Sequence, residues 1–518
     1  MGGMTTTPTT DWLDALVDQI QSEQPQGVLI VASGHSPSGT YHIGTLREIV
    51  TANAIAWALR RAGRDARQVD FVDDFDGFRK VPTSIGVPES WSQYLGQPLR
   101  VVPDPFDCHP SYGEHYLAQL HEGLEAIGAM PDESVSGYDA YREGAYVEQI
   151  VATLDKLAEV RRILTEVGGR QLDAQWSPVQ ILSENMSFRE WHFKAWNSEA
   201  RTITWTGKDG STGEVGIADG RVKLDWRLDW PARWAKYEVS IEPFGRDHAT
   251  KGGSYDTGKA LVRQIFGARP PVPVPYEFIN LLGATVKMSK SAGNVLTPQD
   301  ALGVMPAELL RYFVVKNRPG RTLVFDSGPG LVRLIDEFSA ERDSAAAGVA
   351  YARAVTRDET ISSVPFGHLV QCYQAAGRDS AQTLAILMRT GYEAAVAQER
   401  PVIERELRFV ANWLEQYAPE SVKFSVQEEL PEVALSDEQR EFLGKLADTL
   451  AHEHRLNGQA MHDAIYASAQ AAKCAPAAAF VALYRVILGQ DAGPKAGWFL
   501  AELDHDWLVT RLKAASLR

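Results

Sequence analysis

A strand, a helix and a second strand near the N-terminus constrain the fold of this chain more than any other feature. Residues 26–32 (QGVLIVA) are an apolar run that predicts a buried strand. After a polar loop, apolar residues recur at helical spacing from His42 to Ala62, and Gly63 ends the helix. Residues 68–72 predict the second buried strand. Two strands joined through a helix form parallel neighbours, so we expect an α/β fold with a parallel sheet.

The rest of the sequence predicts an interruption, a return to the sheet and a helical end. Helical periodicity at 146–167 and a Trp- and Gly-rich stretch at 201–222 interrupt the pattern. Strands are predicted again at 239–244 and 276–282, with a helix at 254–266 between them. After about residue 345 only six of the 27 prolines remain, and amphipathic helices dominate.

We therefore expect a Rossmann-type parallel-sheet domain with an inserted α+β region and an all-helical C-terminal domain. The predicted segments are an N-terminal extension (1–25), the first half of the sheet domain (26–105), the insertion (106–222), the second half of the sheet domain (223–282), a polar-loop region (283–345) and the helical domain (346–518).

Charge and cysteine content exclude several classes of protein. The net charge of −15 argues against bulk attraction to nucleic acid or to an anionic membrane. Cys108, Cys372 and Cys474 form no CxxC pair, so we expect neither a disulfide framework nor a thiolate zinc site. No apolar stretch approaches the roughly 20 residues that span a bilayer, and the Thr-rich N-terminus lacks a secretory signal. We expect a cytoplasmic protein that does not bind membranes.

The negative net charge does not exclude a local basic surface that contacts RNA. Two basic clusters are candidates for such a surface. Each cluster is also consistent with a solvated surface. They comprise Arg60, Arg61, Arg64 and Arg67, and Arg311, Lys316, Arg318 and Arg321.

Two polar segments carry residues suited to nucleotide chemistry. Residues 37–44 (PSGTYHIG) lie between the first strand and its helix, at the sheet end where ligands collect. Backbone N–H groups at a helix start can cradle phosphate, and His42 can hydrogen-bond phosphoryl oxygens. Residues 287–291 (KMSKS) lie far downstream in a loop bounded by Gly283 and Gly293. Two lysines that flank hydroxyls can neutralise charge as pyrophosphate leaves a triphosphate.

Together these segments resemble the HIGH and KMSKS signatures of class I aminoacyl-tRNA synthetases. Further stretches are similar to the class I lysyl-tRNA synthetases, over roughly residues 26–330: SGHSPSG (33–39), DDFDGFRKVP (73–82), DWPARW (229–234), GRDH (245–248) and GGSYD (252–256). The resemblance implies that ATP activates lysine with release of pyrophosphate, and that lysine is then transferred to the terminal 2′-OH of tRNA(Lys). It also implies that tRNA binds before activation. The sheet domain would then be catalytic, the insertion (106–222) an acceptor-stem or connective region, residues 283–345 the KMSKS loop and a stem-contact region, and the helical domain (346–518) the anticodon-binding domain.

The resemblance assigns roles position by position. The implied catalytic residues are His42, Lys287 and Lys290. The implied ATP contacts are Ser38, Gly39, His42, Gly44, Gly245, Asp247, Met288, Ser289 and Lys290. The implied lysine-binding positions are Gly34, Ser36, Trp226, His248 and Tyr276. The expected partners are tRNA(Lys), L-lysine and ATP with Mg²⁺, and the chain is expected to be a monomer.

Asp73 and Asp74, after the second strand, are our candidates for the α-ammonium of lysine or for the nucleotide. A buried cation needs paired carboxylates or other acceptors to offset its desolvation. The alternative for an Asp-rich loop is turn formation and helix capping, and Asp247 has the same alternative. Trp226, Trp230 and Trp234 are spaced four apart, so core packing is expected for at least two of them.

Three departures from related patterns bear on the substrate and on metals. Glutamyl enzymes of the same architecture carry an Arg where this chain has Ala32, so an anionic substrate side chain loses its bidentate partner and lysine is favoured. Thr45 replaces the final His of HIGH and removes one possible phosphate ligand. The insertion lacks the cysteine pairs that hold zinc in some relatives, so no structural zinc and no metal-binding side chain are expected. We expect four tryptophans to hold it instead: Trp176, Trp191, Trp196 and Trp205.

Three other functions remain open at this point. One is a glutamyl-tRNA synthetase, which Ala32 disfavours. Another is a nucleotidyltransferase that acts on a small acid without RNA. This alternative predicts no function for the last 170 or so residues. The third is a non-catalytic tRNA-binding paralogue, against which the intact His42, Lys287 and Lys290 argue.

Overall fold

The structure, a computed structural model, describes residues 11–24, 26–82, 85–173, 176–282, 295–355, 361–453 and 456–518. The chain forms two compact units. The first contains residues up to 302, with 310–325 and 343–356, and the second contains 303–309, 326–342 and the residues from 357 onward. The domain boundaries drawn from the sequence stay a prediction.

A five-stranded parallel sheet is the centre of the first unit. Its strand order is β10-β9-β1-β2-β3, and every neighbouring pair is parallel. The prediction of an α/β fold with a parallel sheet is confirmed. The strands of the chain, in order, are β1 Leu29–His35, β2 Ala66–Val72, β3 Glu133–Ser136, β4 Val179–Ile181, β5 Trp191–Asn197, β6 Thr202–Gly207, β7 Thr212–Gly216, β8 Val222–Leu224, β9 Val239–Gly245, β10 Val272–Tyr276, β11 Ile279–Leu281 and β12 Leu323–Phe325.

Helices surround this sheet and make up the second unit. The prediction of a helical C-terminal region is confirmed, since the described residues of the second unit contain helices and no strand. The helices are α1 Trp12–Glu23, α2 Ile43–Arg61, α3 Tyr112–Ala126, α4 Gly137–Arg142, α5 Val147–Asp155, α6 Leu157–Glu166, α7 Trp226–Lys236, α8 Ser254–Gln264, α9 Pro298–Leu302, α10 Ala307–Val315, α11 Pro329–Glu341, α12 Ala347–Ala354, α13 Phe366–Ala375, α14 Ser380–Arg389, α15 Glu393–Gln416, α16 Asp437–His452, α17 Gly458–Ala471, α18 Pro476–Leu488, α19 Ala496–Glu502 and α20 His505–Ser516.

The β1-α2-β2 unit forms where the apolar pattern predicted it. Strand β1 is flanked on both sides by other strands, which suits its continuous apolar run. Helix α2 buries apolar residues along its whole length, including Leu46, Val50 and Leu59. The helix is buried on most of its sides and packs against β1, β2 and β9 as well as neighbouring helices, which fixes the position of its N-terminus.

A second, antiparallel sheet lies within residues 179–224, with the strand order β7-β6-β5-β4-β8. The rings of Trp191 and Trp205 stack with their centroids 3.9 Å apart, and the Arg221 guanidinium lies 4.7 Å from the Trp191 ring. Trp196 donates a 2.7 Å hydrogen bond to Asp155 Oδ1, and Arg161 lies over Trp176. All four predicted tryptophans thus make packing or polar contacts in this region. Strand β3, from the predicted insertion, instead joins the edge of the main sheet.

The single strand predicted at 276–282 is wrong, because the chain changes partner there. Strand β10 ends at Tyr276 after pairing with β9, while β11 pairs with β12 in a separate two-stranded sheet. The Glu277 N–H donates to the Pro319 carbonyl between the two strands. A distant segment therefore divides one apolar run into two elements.

Two of the arginines singled out in the sequence make contacts within the fold, one of them buried and the other exposed. The Arg311 side chain has no exposed surface, and its guanidinium donates to the carbonyls of Ile127 and Ala352. Arg60 donates to the Ala66 carbonyl and pairs with Asp132. These arginines hold loops of the first unit together.

No single helix among the described residues is both long and apolar enough to cross a bilayer, although the bent pair α17 and α18 meets those limits jointly.

Replacement of Arg311 by Ala is expected to destabilise the first unit by about 3 kcal/mol, because two buried carbonyls lose their donor and a cavity remains. Urea denaturation followed by tryptophan fluorescence measures the change. Arg79→Ala is the control, since its side chain is 78% exposed and its loss should change stability by less than about 0.5 kcal/mol. Equal midpoints for the two variants would contradict the structural role of Arg311.

Candidate active site

The carboxyl ends of four parallel strands gather the predicted site residues at one edge of the sheet. His35 at the end of β1 pairs in register with Val72 of β2, and Gly245 of β9 pairs with Tyr276 of β10. Gly34 and Ser36, Asp73 and Asp74, and Asp247 and His248 lie at or directly after these ends. This is the edge at which open α/β sheets bind ligands.

The predicted phosphate-binding segment forms the start of α2. His42 is the residue that precedes the helix, with φ −130° and ψ 165°, and Gly44 lies in the first turn. The backbone N–H groups of a first helical turn point away from the helix and favour anions. Gly39 has φ 148°, a conformation that favours glycine. The Ser38 carbonyl accepts a hydrogen bond from the Tyr112 hydroxyl at 3.1 Å.

Lys287, Met288, Ser289 and Lys290 lie outside the described residues, but both flanks of their segment are placed. On one side, the Leu282 N–H donates to the Phe325 carbonyl. On the other, the Ile43 N–H at the start of α2 donates to the Leu296 carbonyl at 2.9 Å. Leu296 is the sixth residue after Lys290, and a chain of that length spans at most about 20 Å.

A buried guanidinium fixes α2 to a distant stretch of chain. The Arg47 side chain is 1% exposed and donates to the carbonyls of Val314 and Pro319, at 2.5 and 3.0 Å. Burial lowers the pKa of Arg47 to about 10, so the group stays charged at neutral pH. The helix that starts at the candidate phosphate site is thereby fixed to the last turn of α10 and to the segment that follows it.

Asp73 lies in a network of buried charges. The Arg233 guanidinium pairs with both Asp73 and Asp229, and Asp229 also accepts a hydrogen bond from the Tyr141 hydroxyl. Burial raises the pKa of Asp73, and the charge of Arg233 opposes that rise. Asp73 therefore has a cation partner from the protein itself.

The hydrogen bonds of Asp74 join neighbouring elements. Its carboxylate accepts from the Ser136 hydroxyl at 2.6 Å and from the Tyr138 N–H at 2.7 Å, and the residue is 2% exposed. These bonds hold the junction of β3 and α4, as the turn-capping alternative describes. A role for Asp74 in binding lysine stays a prediction.

Glu48 is a site residue that the sequence interpretation missed. Its Oε1 accepts from the Gly34 N–H at 2.8 Å, and its Oε2 accepts from the Tyr276 hydroxyl at 2.5 Å. Burial raises the pKa of Glu48 to about 8, against the lowering effect of these two hydrogen bonds. Gly34 and Tyr276 were both implied lysine-binding positions. The only signal in the sequence is an acidic residue within the apolar helix α2.

Trp226 and His248 form an aromatic wall at the same edge, with ring centroids 5.3 Å apart. Trp230 and Trp234 are 8% and 1% exposed, and their indole N–H groups both donate to Glu242. The prediction that two of the three tryptophans belong to the core is confirmed. Trp226 remains half-buried beside His248.

Gly245 allows the Asp247 side chain to lie against the end of β9. A Cβ atom at position 245 would lie 2.5 Å from Asp247 Oδ1, closer than real contacts allow. Asp247 itself is exposed, in a short 3₁₀ helix at Arg246–Ala249. A carboxylate at this position suits the hydroxyls of a ribose.

A buried chain of hydrogen bonds, also missed from the sequence, supports β1 and β2. His35 bonds Asp70 through Nε2 at 2.7 Å and the Tyr41 hydroxyl through Nδ1 at 2.6 Å. Burial alone would raise the pKa of Asp70, but the charge of His35 and the bonds from His35 and Ser33 lower it. The loop that carries the phosphate-binding segment is thus held to both strands.

Comparison with known proteins decides the family. The family described as tRNA synthetases class I (K) matches residues 10–363 of the 518. The chain belongs to this family.

Relatives of this class I (K) synthetase match it over nearly their whole length. The lysine–tRNA ligase 1 of Methanosarcina acetivorans is 37% identical, covering 98% of this chain and 98% of the relative. The lysine–tRNA ligase of Archaeoglobus fulgidus is 38% identical, covering 94% and 96%. A solved glutamate tRNA ligase from Elizabethkingia meningosepticum has a TM-score of 0.42 at 12% identity, covering 94% of this chain and 99% of that one. That structural similarity is too weak to support an argument.

The synthetase also contains a group of residues that could hold a metal ion. The ligand atoms of Asp104, Cys108, His109 and His115 lie within 4.8 Å of one another. One thiol, two imidazoles and one carboxylate are a donor set that suits Zn²⁺. The expectation of no metal considered cysteine pairs alone, whereas this group needs one cysteine. The sequence signal is the spacing D-x₃-C-H-x₅-H.

Replacement of Asp74 by Ala is expected to cost about 2 kcal/mol of stability, because the Ser136 hydroxyl and the Tyr138 N–H lose their buried acceptor. Chemical denaturation measures this, with the exposed Asp65→Ala as the control. If Asp74→Ala is instead as stable as the parent and loses affinity for lysine, Asp74 is a ligand-binding residue and the structural interpretation is wrong.

Proposed function

We propose that this class I (K) synthetase is a lysine–tRNA ligase. It activates L-lysine with ATP, releases pyrophosphate, and transfers lysine to the 2′-OH of the terminal adenosine of tRNA(Lys). The names and near-complete coverage of its relatives support this proposal. The observation that carries it is the bond from Ile43 to Leu296, which brings the flank of the KMSKS segment to the start of α2.

The ATP site is proposed at the start of α2 and the end of β9. His42 and Gly44, with Ser38 and Gly39 before them, lie where the helix start favours the phosphates. Gly245 and Asp247 lie where they can meet the adenosine. Lys287 and Lys290, with Met288 and Ser289 between them, neutralise charge as pyrophosphate leaves. Mg²⁺ enters as a complex with ATP. The protein itself contributes the positioning of the reactants and the electrostatic stabilisation of the developing charge.

We assign the side-chain ammonium of lysine to Glu48 and Tyr276. Among the described residues, Glu48 accepts hydrogen bonds from Gly34 and Tyr276 but forms no ion pair. A buried carboxylate without a cation is costly, and a lysine ammonium supplies that cation. Trp226 and His248 can pack on the methylenes of the substrate, and Asp73 remains the candidate for the α-ammonium.

The charges at this edge favour lysine over glutamate. Ala32 is fully buried in the core and offers no guanidinium. Arg233, whose Nη1 lies 3.9 Å from a Cβ built on Gly34, already pairs with Asp73 and Asp229. A substrate with an anionic side chain would therefore meet carboxylates at this edge, and the Arg233 guanidinium there is already neutralised by two of them.

The remaining parts of the proposal concern tRNA. The helical unit is proposed to bind the anticodon, and tRNA is proposed to bind before lysine is activated. The synthetase is proposed to act in the cytoplasm as a monomer.

Amino-acid-dependent exchange of pyrophosphate into ATP tests the proposed function. Exchange is expected with lysine alone among the amino acids, and only when tRNA(Lys) is present. Lys290→Ala should lower the rate by about 100-fold or more, as loss of a charge-stabilising group does, while tRNA affinity in filter binding stays unchanged. Exchange with glutamate, or a fully active Lys290→Ala variant, would overturn the assignment.

Lysine binding is expected to release a proton from Glu48. With a pKa of about 8, the free carboxyl group is mostly protonated at pH 7, and a bound ammonium favours the carboxylate. Lysine affinity should therefore rise from about pH 6 to pH 8 and level off above the folded-state pKa. Titration calorimetry of the tRNA-bound enzyme, in buffers of different ionisation enthalpy, counts the protons.

Matched variants distinguish a direct role of Glu48 in lysine binding from a general effect on the fold. Glu48→Gln should weaken lysine binding by about 2 kcal/mol or more and remove the proton release. Tyr276→Phe should weaken binding less, and the exposed Glu125→Gln should behave like the parent. Unchanged proton release in Glu48→Gln would show that another group reads the ammonium.

A further inference from the structure

The helical unit contains a thiol, an imidazole and a carboxylate that meet at one point. His368 and Cys372 lie four residues apart on α13, so both side chains leave the same face of the helix. Glu502 is the last residue of α19. One ligand atom from each residue lies within 4.8 Å of the other two.

The separations of these atoms suit one tetrahedral ion. His368 Nδ1 lies 3.4 Å from Glu502 Oε1 and 3.9 Å from Cys372 Sγ. Zn–N and Zn–O bonds of about 2.0 Å and a Zn–S bond of about 2.3 Å, at tetrahedral angles, separate such ligand atoms by about 3.3 to 3.6 Å. Shifts of a few tenths of an ångström would bring these two separations to the tetrahedral values, and the sulfur and the carboxylate oxygen lie within 4.8 Å of each other.

Glu502 provides an independent sign of a missing partner. The residue is 2% exposed, and its Oε2 has no hydrogen-bond partner among the described residues. Gln371 donates to Oε1 at 2.6 Å and so fixes the plane of the carboxyl group. Arg389 donates to the backbone carbonyl of Glu502. Buried polar atoms without partners are rare in folded proteins, so this oxygen needs an explanation.

A cavity of about 610 Å³ gives access to the cluster. Its lining includes His368 and Glu502, together with Tyr392 of the loop after α14. Cys372 does not line the cavity and has no exposed surface. That burial excludes the same three groups from acting as a nucleophile with its base, because a substrate could not reach the sulfur.

We propose that His368, Cys372 and Glu502 bind one Zn²⁺ ion, with the fourth coordination position facing the cavity. The imidazole binds as the neutral base, and the ion replaces the proton of the thiol and that of the carboxyl group, which pass to solvent. Water or a nitrogen or oxygen donor of a bound molecule completes the tetrahedron. The ion would link α13 to α19 within the helical unit, independently of the aminoacylation chemistry.

Burial raises the pKa of Glu502 to about 8 and also raises that of Cys372, and it lowers the pKa of His368, so all three groups favour their uncharged forms without an ion. A divalent cation reverses the penalty for the thiolate and the carboxylate. The donor set of sulfur, nitrogen and oxygen matches zinc better than magnesium or calcium.

Titration of the metal-free full chain with Co²⁺ tests the site, because cobalt bound to a thiolate gives a sulfur-to-metal charge-transfer band. The parent for this experiment is Cys108→Ser, which removes the thiol of the Asp104 group. One equivalent of cobalt is expected to produce the band in this parent. Cys372→Ser should abolish the band, whereas Cys474→Ser, which removes another buried thiol of the same unit, should leave it unchanged.

Glu502→Gln keeps the experiment decisive if Cys372→Ser fails to fold by circular dichroism. This variant should keep the band and bind cobalt about tenfold or more weakly in competition with a chelator. Zinc content by mass spectrometry should fall in the same variants. A Cys108→Ser protein without the band, a band that survives Cys372→Ser, or unchanged affinity in Glu502→Gln would each overturn the proposal.

Discussion

The parallel pairing of four strands is the constraint on which the candidate site depends. Because β1, β2, β9 and β10 run in the same direction, residues from four distant parts of the sequence end at one edge. Helix α2 then begins at that edge, and its first N–H group bonds the chain that leaves the KMSKS segment. Sheet direction therefore determines which side chains can meet an ATP molecule and an amino acid together.

The buried acidic side chains at this edge differ in whether the protein supplies them with a basic partner. Asp73, Asp229 and Arg233 satisfy one another, and Asp70 is satisfied by His35 and Ser33. Glu48 accepts hydrogen bonds from two neutral donors, and burial raises its pKa to about 8. Under the proposed assignment of Glu48, this difference would discriminate by charge, because an ammonium group would be stabilised beside the acid that has no basic partner among the described residues and an anion would be repelled there.

The sequence predicted the parts that depend on local pattern. The β1-α2-β2 unit was predicted because its strands are continuous apolar runs and α2 has an apolar face. The division between β10 and β11 could not be predicted, since it depends on β12 and on the carbonyl of Pro319. Gly34 and Tyr276 were singled out by resemblance to a family, whereas Glu48, which touches both, lies in a helix whose pattern gave no reason to choose it.

Arg47 has a consequence for the construction of hybrid enzymes. Its guanidinium joins α2 to the carbonyls of Val314 and Pro319, about 270 residues later in the chain. A chimaera that exchanged the first strand-helix-strand module between relatives would separate this arginine from the loop shaped to receive it. The smallest transferable block therefore consists of two discontinuous pieces, and recombination boundaries drawn along the linear sequence would cut through it.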